Sequence, residues 1–467
     1  MNRPSENSLP IEFKERITDR LGLSANRFFE SLLEEPPVAI RINPLKWKHP
    51  IKLEKIPWSS NGYYLQQRPS FTLDPLFHGG AYYVQEPSSM LLEAAFSAVK
   101  TEQPIMVLDL CGAPGGKSTH LLSLMGPDDL LVTNEVIRSR ASILQENIQK
   151  WGYGNAVVTN SDPRAFAKFG AHFDVVIVDA PCSGEGLFRK DMGSISEWSI
   201  DNTRLCSARQ KRIIADAWEA LKPGGFLIYS TCTYNEAENE QNLHWLVQEK
   251  NATPVELPMH PHWNIDPIRH HDVIGYQVFP HKVRGEGFFI GVVSKPGTAS
   301  DPKWPKSNSE RWKGVAPKVA DELRHYFLEA GMAQFIQKEE VSYYFPTRWL
   351  SLLPTFDRHF SILQAGIPVS MEKGTDFFPH PALAYANQYR RGSLPECELS
   401  LEASIKFLKR ENLSFPLAPK GWLLSTYQSI PLGWVKNLGN RANNYFPKDR
   451  HIRMEAQNIP EPWYLQP

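Results

Sequence analysis

The sequence has few cysteines, and their spacing is irregular. Five cysteines stand among 467 residues, at positions 111, 182, 206, 232 and 397. No two of them form a CxxC pair, and their spacing does not suggest a disulfide framework. We therefore expect free thiols in a reducing, cytoplasmic environment, and we expect no metal site.

Long apolar runs and an excess of either charge are also absent. No run of about 18 apolar residues is present to span a membrane, and the N-terminal stretch MNRPSENSLP lacks the apolar core of a signal peptide. The 51 basic and 51 acidic residues cancel, which excludes a strongly basic field over the whole protein. A nucleic-acid partner would therefore have to be bound by local basic patches.

The length and the hydrophobic pattern predict several domains. Residues 1–100 mix helical and strand-like stretches, so we expect an α+β N-terminal domain. In residues 101–295, short apolar runs alternate with helical stretches, which predicts a doubly wound, mostly parallel α/β sheet of the Rossmann-like type. The strands expected in this domain are 105–110, 130–136, 156–160, 173–180, 225–231 and 287–294.

The rest of the chain predicts smaller units. Residues 296–314 are rich in Pro, Ser and Gly and predict a linker. Residues 315–395 form a middle segment that combines a helix with aromatic loops. Residues 396–467 predict a small β-rich module, and its end carries basic residues among aromatic ones: Lys436, Arg441, Tyr445, Phe446, Lys448, Arg450 and Arg453.

A glycine-rich turn joins a predicted strand to a predicted helix in DLCGAPGGKSTHLL (109–122). Such a turn lets a ligand approach backbone N–H groups at a helix N-terminus. A phosphate-binding P-loop would need glycine where Cys111 stands, and a dinucleotide fingerprint would need glycine where Pro114 stands. We favour a third interpretation, the S-adenosyl-L-methionine loop of a methyltransferase, formed by Cys111, Gly112, Ala113, Pro114, Gly115, Gly116 and Lys117.

Two acidic residues support this interpretation. Glu135 ends the second predicted strand, roughly twenty residues beyond the loop, where an acidic side chain meets ribose hydroxyls. Asp162 follows the third predicted strand and is placed to meet an adenine. A nucleoside without phosphates fits this layout best, with a nucleotide-phosphate site and a strand-turn-helix without a ligand as the alternatives.

Two cysteines stand at the ends of neighbouring predicted strands. Cys182 follows the fourth strand in DAPCSGEG, and Cys232 closes the fifth in STCTYNEAENE. In a sheet of order 3-2-1-4-5 these strands lie about 5 Å apart, and their carboxyl ends border the ligand crevice. A lone cysteine is usually a small buried hydrophobe, as we expect for Cys206 and Cys397, but this pair predicts two thiols in one pocket.

Paired thiols suit methylation at carbon 5 of cytosine. That carbon is a poor nucleophile, and addition of a thiolate to C6 turns the ring into an enamine that attacks an activated methyl group. A second group would then assist loss of the C5 proton and release of the thiolate. Asp179 is placed to hydrogen-bond the N3–N4 edge of the base. These considerations do not decide which cysteine attacks.

The motifs DLCGAPGGKS, DAPCSGEG and STCTYNEAENE resemble those of the RNA 5-methylcytosine methyltransferases of the Sun family. YYVQEPSSM and PHKVRGEGFFIG match as well, so the resemblance covers roughly residues 35–295. It implies that Cys232 attacks C6, that Cys182 assists product release, and that Asp179 contacts the base near the cofactor. It also implies that residues 111–117, Glu135 and Asp162 hold S-adenosyl-L-methionine, with Arg140 helping to order that site.

The resemblance further implies an RNA substrate, which is small-subunit ribosomal RNA in bacterial members. It implies an RNA-binding PUA-like module at residues 396–467. We expect the N-terminal domain to bind RNA or position the substrate, and we expect a monomer. The chain departs from the usual C-A-A-P-G-S-K loop at Gly112 and Gly116, which are small and should be tolerated, and Gln277 stands where arginine is expected. A catalytically silent RNA-binding assembly factor is the main alternative, ahead of a P-loop ATPase and a DNA cytosine methyltransferase.

Overall fold

The computed structural model describes residues 8–298, 311–328, 330–372, 377–455 and 463–465. Most of the predicted linker, residues 299–310, lies outside these ranges. The end of the predicted linker is structured, because Lys313–Gly314 pairs with a strand of the middle segment and Trp312 is buried.

The N-terminal part contains helices α1 (Ile11–Leu21), α2 (Ala25–Leu33), α3 (Pro75–His78) and α4 (Leu92–Val99), and strands β1 (Val38–Ile42), β2 (Gly62–Leu65) and β3 (Tyr82–Val84). The strands form an antiparallel sheet of order β2-β1-β3. Helix α1 buries Phe13 and Ile17, which pack with α2 against Phe188, Trp198 and Tyr234 of the following domain. The N-terminal helices are therefore joined to the loops of that domain by a shared apolar core.

The following domain has the predicted doubly wound sheet. Its elements are β4 (Met106–Asp109), α5 (Gly116–Leu124), β5 (Leu130–Asn134), α6 (Arg138–Trp151), β6 (Ala156–Thr159), α7 (Pro163–Phe169), β7 (Phe173–Asp179), α8 (Met192–Glu197), α9 (Ile200–Ala220), β8 (Leu221–Thr231), α10 (Glu240–Lys250), β9 (Thr253–Val255), β10 (Asp266–His270), β11 (Val273–Val278) and β12 (Phe288–Ser294).

The sheet order confirms the predicted 3-2-1-4-5 arrangement. Strands β6, β5, β4, β7 and β8 lie side by side and run parallel. Strand β12 continues the sheet antiparallel to β8, followed by the hairpin β11–β10. The hairpin was not predicted, although β12 was. The central strands are buried on both faces, as expected for a parallel sheet covered by helices.

The middle segment contains more strand than its sequence predicted. It consists of β13 (Lys313–Gly314), α11 (Pro317–Arg324), β14 (Ala333–Lys338), β15 (Val341–Pro346), α12 (Leu353–His359), β16 (Ile362–Ala365) and β17 (Ile367–Met371). Strand β16 pairs antiparallel with β6 and so extends the doubly wound sheet at its edge. The segment therefore covers an edge strand that would otherwise expose unpaired backbone groups.

The C-terminal module contains β18 (Glu396–Glu398), α13 (Leu401–Leu408), β19 (Gly421–Tyr427), β20 (Ile430–Asn437) and β21 (Ala442–Asn444), with sheet order β18-β19-β20-β21. Two of the basic and aromatic residues predicted to lie on its surface make contacts inside the protein instead. Phe446 is buried against Phe407, and Arg450 donates to Gln149 of α6 at 2.8 Å. Within the described ranges, no helix is long and apolar enough to cross a membrane.

Candidate active site

The two predicted cysteines lie together at the carboxyl end of the sheet. Strands β7 and β8 are paired so that Asp179 lies opposite Ser230, Cys182 follows in the loop after β7, and Cys232 directly follows β8. The two Sγ atoms are 3.0 Å apart, and the backbone N–H of Cys232 points at Cys182 Sγ at 3.3 Å. Both residues are half-buried.

The thiol of Cys182 is difficult to ionise. The neighbouring Cys232 thiol and burial raise the pKa of Cys182 well above its ordinary value, and the carboxylate of Glu238 adds to the effect. Two thiolates at this separation would repel each other strongly. Ionisation of one thiol therefore keeps the other protonated.

An ion pair stands beside the thiols. Lys117 Nζ lies 2.8 Å from Asp179 Oδ2, and Ser230 donates to Asp179 Oδ1 at 2.8 Å. Burial lowers the pKa of Lys117, but the carboxylate of Asp179 and the thiolate of Cys232 outweigh it and raise that pKa above its ordinary value. Lys117, which the sequence placed only in the cofactor loop, is thus a cation held by Asp179, and it is close enough to interact electrostatically with Cys232.

The glycine-rich loop has the geometry of a ligand cradle. Gly115 has φ of 115°, a backbone conformation that favours glycine, and stands directly before α5. The loop is held from α6, because Arg140 donates to Ala113 O at 2.9 Å and Asn147 donates to Pro114 O at 2.7 Å. Cys111 is half-buried, and burial raises the pKa of its thiol.

A buried acid lies under this loop. Burial raises the pKa of Asp109 to about 7, against a hydrogen bond of 2.6 Å from Ser118 that lowers it. One oxygen of Asp109 has no hydrogen-bond partner among the described residues. Gly112 packs over Ser118 and Thr133, so that a Cβ at position 112 would lie only 2.2 Å from Thr133 Oγ1. Glycine at position 112, expected to be tolerated in place of the usual alanine, fits this space because Thr133 Oγ1 lies where a Cβ would be.

The two predicted acidic ligands differ in their surroundings. Glu135 is buried; it accepts from the N–H of Ile137 at 2.9 Å and pairs with Arg140 at 3.3 Å. Asp162 caps α7, and its carboxylate is held by Arg164, which lowers its pKa to about 2. Arg164 thus holds the carboxylate of Asp162, and Arg140 holds that of Glu135 in place.

The sequence did not single out the side chains that hold the cysteine loops. Glu238 accepts from Ser183 N at 2.9 Å, from Ser183 Oγ, and from Gln210 of α9 at 2.9 Å. Asn239 bonds to residues on both sides of Cys232 and to Gln277, which is buried and also donates to Phe288 O at 3.1 Å. Glu238 and Asn239 lie within the STCTYNEAENE motif, and that position was the signal in the sequence that could have identified them. Gln277 thus packs as a neutral partner where a charged arginine was expected.

Arg41, a basic residue of the N-terminal domain, makes contacts inside the protein. Arg41 is fully buried; it donates to Thr119 Oγ1 at 2.6 Å and to Gly116 O at 3.2 Å, and it lies 4.5 Å from the ring of Trp151. Burial lowers its pKa to about 9. Arg41 therefore supports helix α5 behind the glycine-rich loop and is not exposed to a nucleic acid.

Taken together, the 3-2-1-4-5 sheet and a glycine-rich loop opening α5 define a Rossmann-like methyltransferase. Two archaeal crystal structures share the fold. A methyltransferase homologue from Pyrococcus horikoshii is 26% identical, with a TM-score of 0.53 over 62% of this chain and 100% of that chain. NSun6 from the same organism, solved with SFG, is 19% identical, with a TM-score of 0.53 over 63% of this chain and 100% of that chain.

Sequence comparison identifies the family. Residues 96–294 match the family model for the 16S rRNA methyltransferase RsmB/F, residues 9–87 that for the N-terminal domain of RsmF, and residues 395–452 that for the RsmF PUA domain. The chain is 31% identical to the ribosomal RNA small subunit methyltransferase F of Pectobacterium atrosepticum, over 95% of this chain and 96% of that one. The Shewanella oneidensis protein of the same name is 30% identical, over 91% and 93% of the two chains. The chain belongs to the ribosomal RNA small subunit methyltransferase F (RsmF) family.

Proposed function

We propose that the protein transfers a methyl group from S-adenosyl-L-methionine to C5 of a cytosine in small-subunit (16S) ribosomal RNA. The observation that carries the proposal is the pair of thiols 3.0 Å apart, at the ends of adjacent strands and beside the Lys117–Asp179 ion pair. Methylation of an exocyclic amine or an oxygen requires no thiol pair. The names of the RsmF relatives support ribosomal RNA as the substrate.

The residues around the glycine-rich loop fit the cofactor. Residues 111–117 present backbone groups at the N-terminus of α5, Glu135 offers a carboxylate just beyond β5, and Asp162 lies after β6. The unpartnered oxygen of Asp109 beneath the loop is a further group that a ligand would satisfy. When bound, S-adenosyl-L-methionine supplies an electrophilic methyl group.

Cys232 is the attacking thiol in this proposal. A thiolate is the nucleophilic form, and a nearby cation stabilises it. Lys117 provides that cation, because its raised pKa includes an attraction to the Cys232 thiolate. Cys182 is disfavoured as the nucleophile, since its pKa is raised well above the ordinary value. The same assignment follows from the family resemblance, so two separate arguments favour Cys232.

The remaining steps use Cys182 and Asp179. The Cys232 sulfur bonds to C6, the electron pair moves to C5, and C5 takes the methyl group. A base then removes the C5 proton, the C5–C6 double bond re-forms, and the thiolate of Cys232 leaves. Cys182, 3.0 Å from Cys232, is placed to assist that release, and Asp179, held by Lys117 and Ser230, is placed to orient the N3–N4 edge of the base.

RNA binding completes the proposal. The target base must leave any helix to reach the thiols. We assign RNA contacts to the N-terminal domain, residues 1–100, and to the PUA-like module, residues 396–467, on either side of the catalytic domain, residues 101–295. We assign residues 315–395 to support of the catalytic sheet through β16. We assign residues 296–314 to the linker between the catalytic domain and this segment. We propose that the protein acts on RNA as a monomer in the cytoplasm.

The experiment that tests the proposal is accumulation of a covalent adduct. Cys182→Ala protein is incubated with unmodified small-subunit RNA and S-adenosyl-L-methionine, and protein–RNA complexes are counted on a denaturing gel. The adduct should accumulate in Cys182→Ala and vanish in the Cys182→Ala, Cys232→Ala double variant, while Cys206→Ala, buried in α9, serves as the matched control. An adduct that survives loss of Cys232 contradicts the assignment, and wild-type protein that methylates no RNA supports the silent assembly factor instead.

A further inference from the structure

Two arginines of the N-terminal helix reach the segment that follows Cys232. Arg20 donates to Tyr234 O at 2.7 Å, and Arg16 donates to the same oxygen at 3.1 Å. Tyr234 lies two residues after Cys232, and its side chain is fully buried against Phe28 of α2. Helix α1, more than 200 residues away in sequence, therefore fixes the backbone next to the proposed nucleophile.

One of these arginines, Arg16, also reaches the segment that follows Cys182. Arg16 donates to Glu185 Oε1 at 2.6 Å, and the side chain of Glu185 is fully buried. Glu185 also accepts from the N–H of Tyr234 at 3.1 Å and from Trp198 Nε1 at 2.9 Å. Arg16 thus neutralises a buried carboxylate that joins the two loops, an arrangement that costs much to leave unpaired.

A backbone hydrogen bond completes the connection between the two loops. The N–H of Gly186 donates to the carbonyl oxygen of Cys232 itself at 2.9 Å. A Cβ at Gly186 would lie 2.9 Å from that oxygen, so the loops are in close contact. Displacement of the Glu185 segment would move Cys232 directly.

We propose that Arg16 and Arg20 are positioning residues for methyl transfer, and that helix α1 holds the Cys182 and Cys232 loops in reactive register. The proposal rests on the proposed function, because it takes Cys232 as the attacking thiol. It assigns to this helix a task other than RNA binding. Arg20 has a side chain only 8% exposed and paired with the buried Glu240, so it is not available to a phosphate.

The test compares three variants of the full-length protein. Arg20→Ala removes a donor to Tyr234 O, and Arg20→Lys restores the charge and one donor. Lys14→Ala removes a cation from the opposite side of the same helix and is the matched control. For each, we measure kcat for methyl transfer to small-subunit RNA, KM for S-adenosyl-L-methionine, and amide hydrogen exchange in peptides spanning 182–190 and 230–238.

Arg20→Ala should lower kcat about 10- to 100-fold, because a misplacement of about 1 Å has that effect on a reacting group, with KM for S-adenosyl-L-methionine nearly unchanged. Exchange should rise in both loops, and Arg20→Lys should recover part of kcat. Lys14→Ala should match the wild type. Should Arg20→Ala fail to fold, Arg16→Gln at the more exposed arginine gives the same comparison.

The proposal is overturned if kcat stays at the wild-type value, if kcat and cofactor affinity fall together, or if faster exchange is confined to the N-terminal helices. Failure of the proposed function would give different results. A wild type that methylates RNA at an atom other than cytosine C5 refutes the proposed function, while the comparison of kcat among the variants still decides the role of the arginines. A wild type without any methyl transfer refutes both.

Discussion

Gly112 provides the sharpest structural prediction for the cofactor loop. A Cβ at position 112 would lie 2.2 Å from Thr133 Oγ1, 2.9 Å from Ser118 Oγ and 3.3 Å from Asp109 Oδ2. The first of these distances is far below any normal contact. Gly112→Ala must therefore displace Thr133, whose hydroxyl lies 2.9 Å from Ser118 Oγ, or shift the loop itself.

The expected free-energy cost of Gly112→Ala is the sum of two effects. Adding a methyl group to a filled interior costs about 1–3 kcal/mol, and loss of the buried Thr133–Ser118 hydrogen bond costs about 1 kcal/mol. If half of this free-energy cost weakens cofactor binding, the dissociation constant of S-adenosyl-L-methionine rises roughly tenfold. The rest should appear as a lower melting temperature of the free protein.

Calorimetric titration with S-adenosyl-L-methionine and thermal unfolding measure both effects. Thr133→Ala in the Gly112→Ala background creates the missing space and should restore much of the binding, with a coupling of at least about 1 kcal/mol in a double-mutant cycle. Gly126→Ala, beyond the end of α5 and outside the loop, is the matched control, because its Cβ would meet nothing nearer than Asp129 Oδ2 at 3.6 Å. Wild-type binding by Gly112→Ala, or additive effects in the cycle, would refute the reasoning.

Three other perturbations test separate parts of the account. Burial raises the pKa of Asp109 to about 7 from 3.8, so the folded protein binds more protons than the unfolded chain between those values and loses stability as pH rises through them. Asp109→Asn should remove this loss, so the fall in melting temperature from pH 5 to pH 8 should be smaller than in the wild type; an unchanged fall contradicts the assignment. Glu238→Gln leaves a donor of Ser183 poorly paired and should cost about 1–3 kcal/mol, visible as a lower melting temperature and a lower kcat. The pair Arg441→Ala, Lys448→Ala, both exposed in the C-terminal module, should weaken RNA binding and reduce its salt dependence without altering cofactor affinity; unchanged salt dependence would argue against RNA contact there.

Local and nearest-neighbour features were predictable from the sequence. Apolar runs separated by helical stretches predicted the strands of the catalytic domain, and the general order of doubly wound sheets placed Cys182 and Cys232 at adjacent strand ends. The carboxyl ends of β7 and β8 indeed bring the two sulfur atoms within 3.0 Å. The glycine-rich loop was likewise found from residue types that only a tight turn before a helix requires.

Contacts between distant segments were not predictable in the same way. Strand β16 joins the edge of the catalytic sheet from the middle segment, and nothing in the alternation of its four residues indicates which strand it pairs with. Arg16, Arg41 and Arg450 each contact a residue of another domain, which the sequence pattern did not indicate. Such pairs depend on how the domains dock, which a pattern of single residues does not encode.

The measurement that tests the central claim most directly is the identity of the methylated nucleoside. Purified protein, labelled S-adenosyl-L-methionine and small-subunit RNA from cells lacking the gene are incubated together, and the RNA is digested and separated by chromatography with mass detection. The account predicts label in 5-methylcytidine, absent with Cys232→Ala. Label in N4-methylcytidine or in a methylated ribose, or label that persists without Cys232, would contradict it.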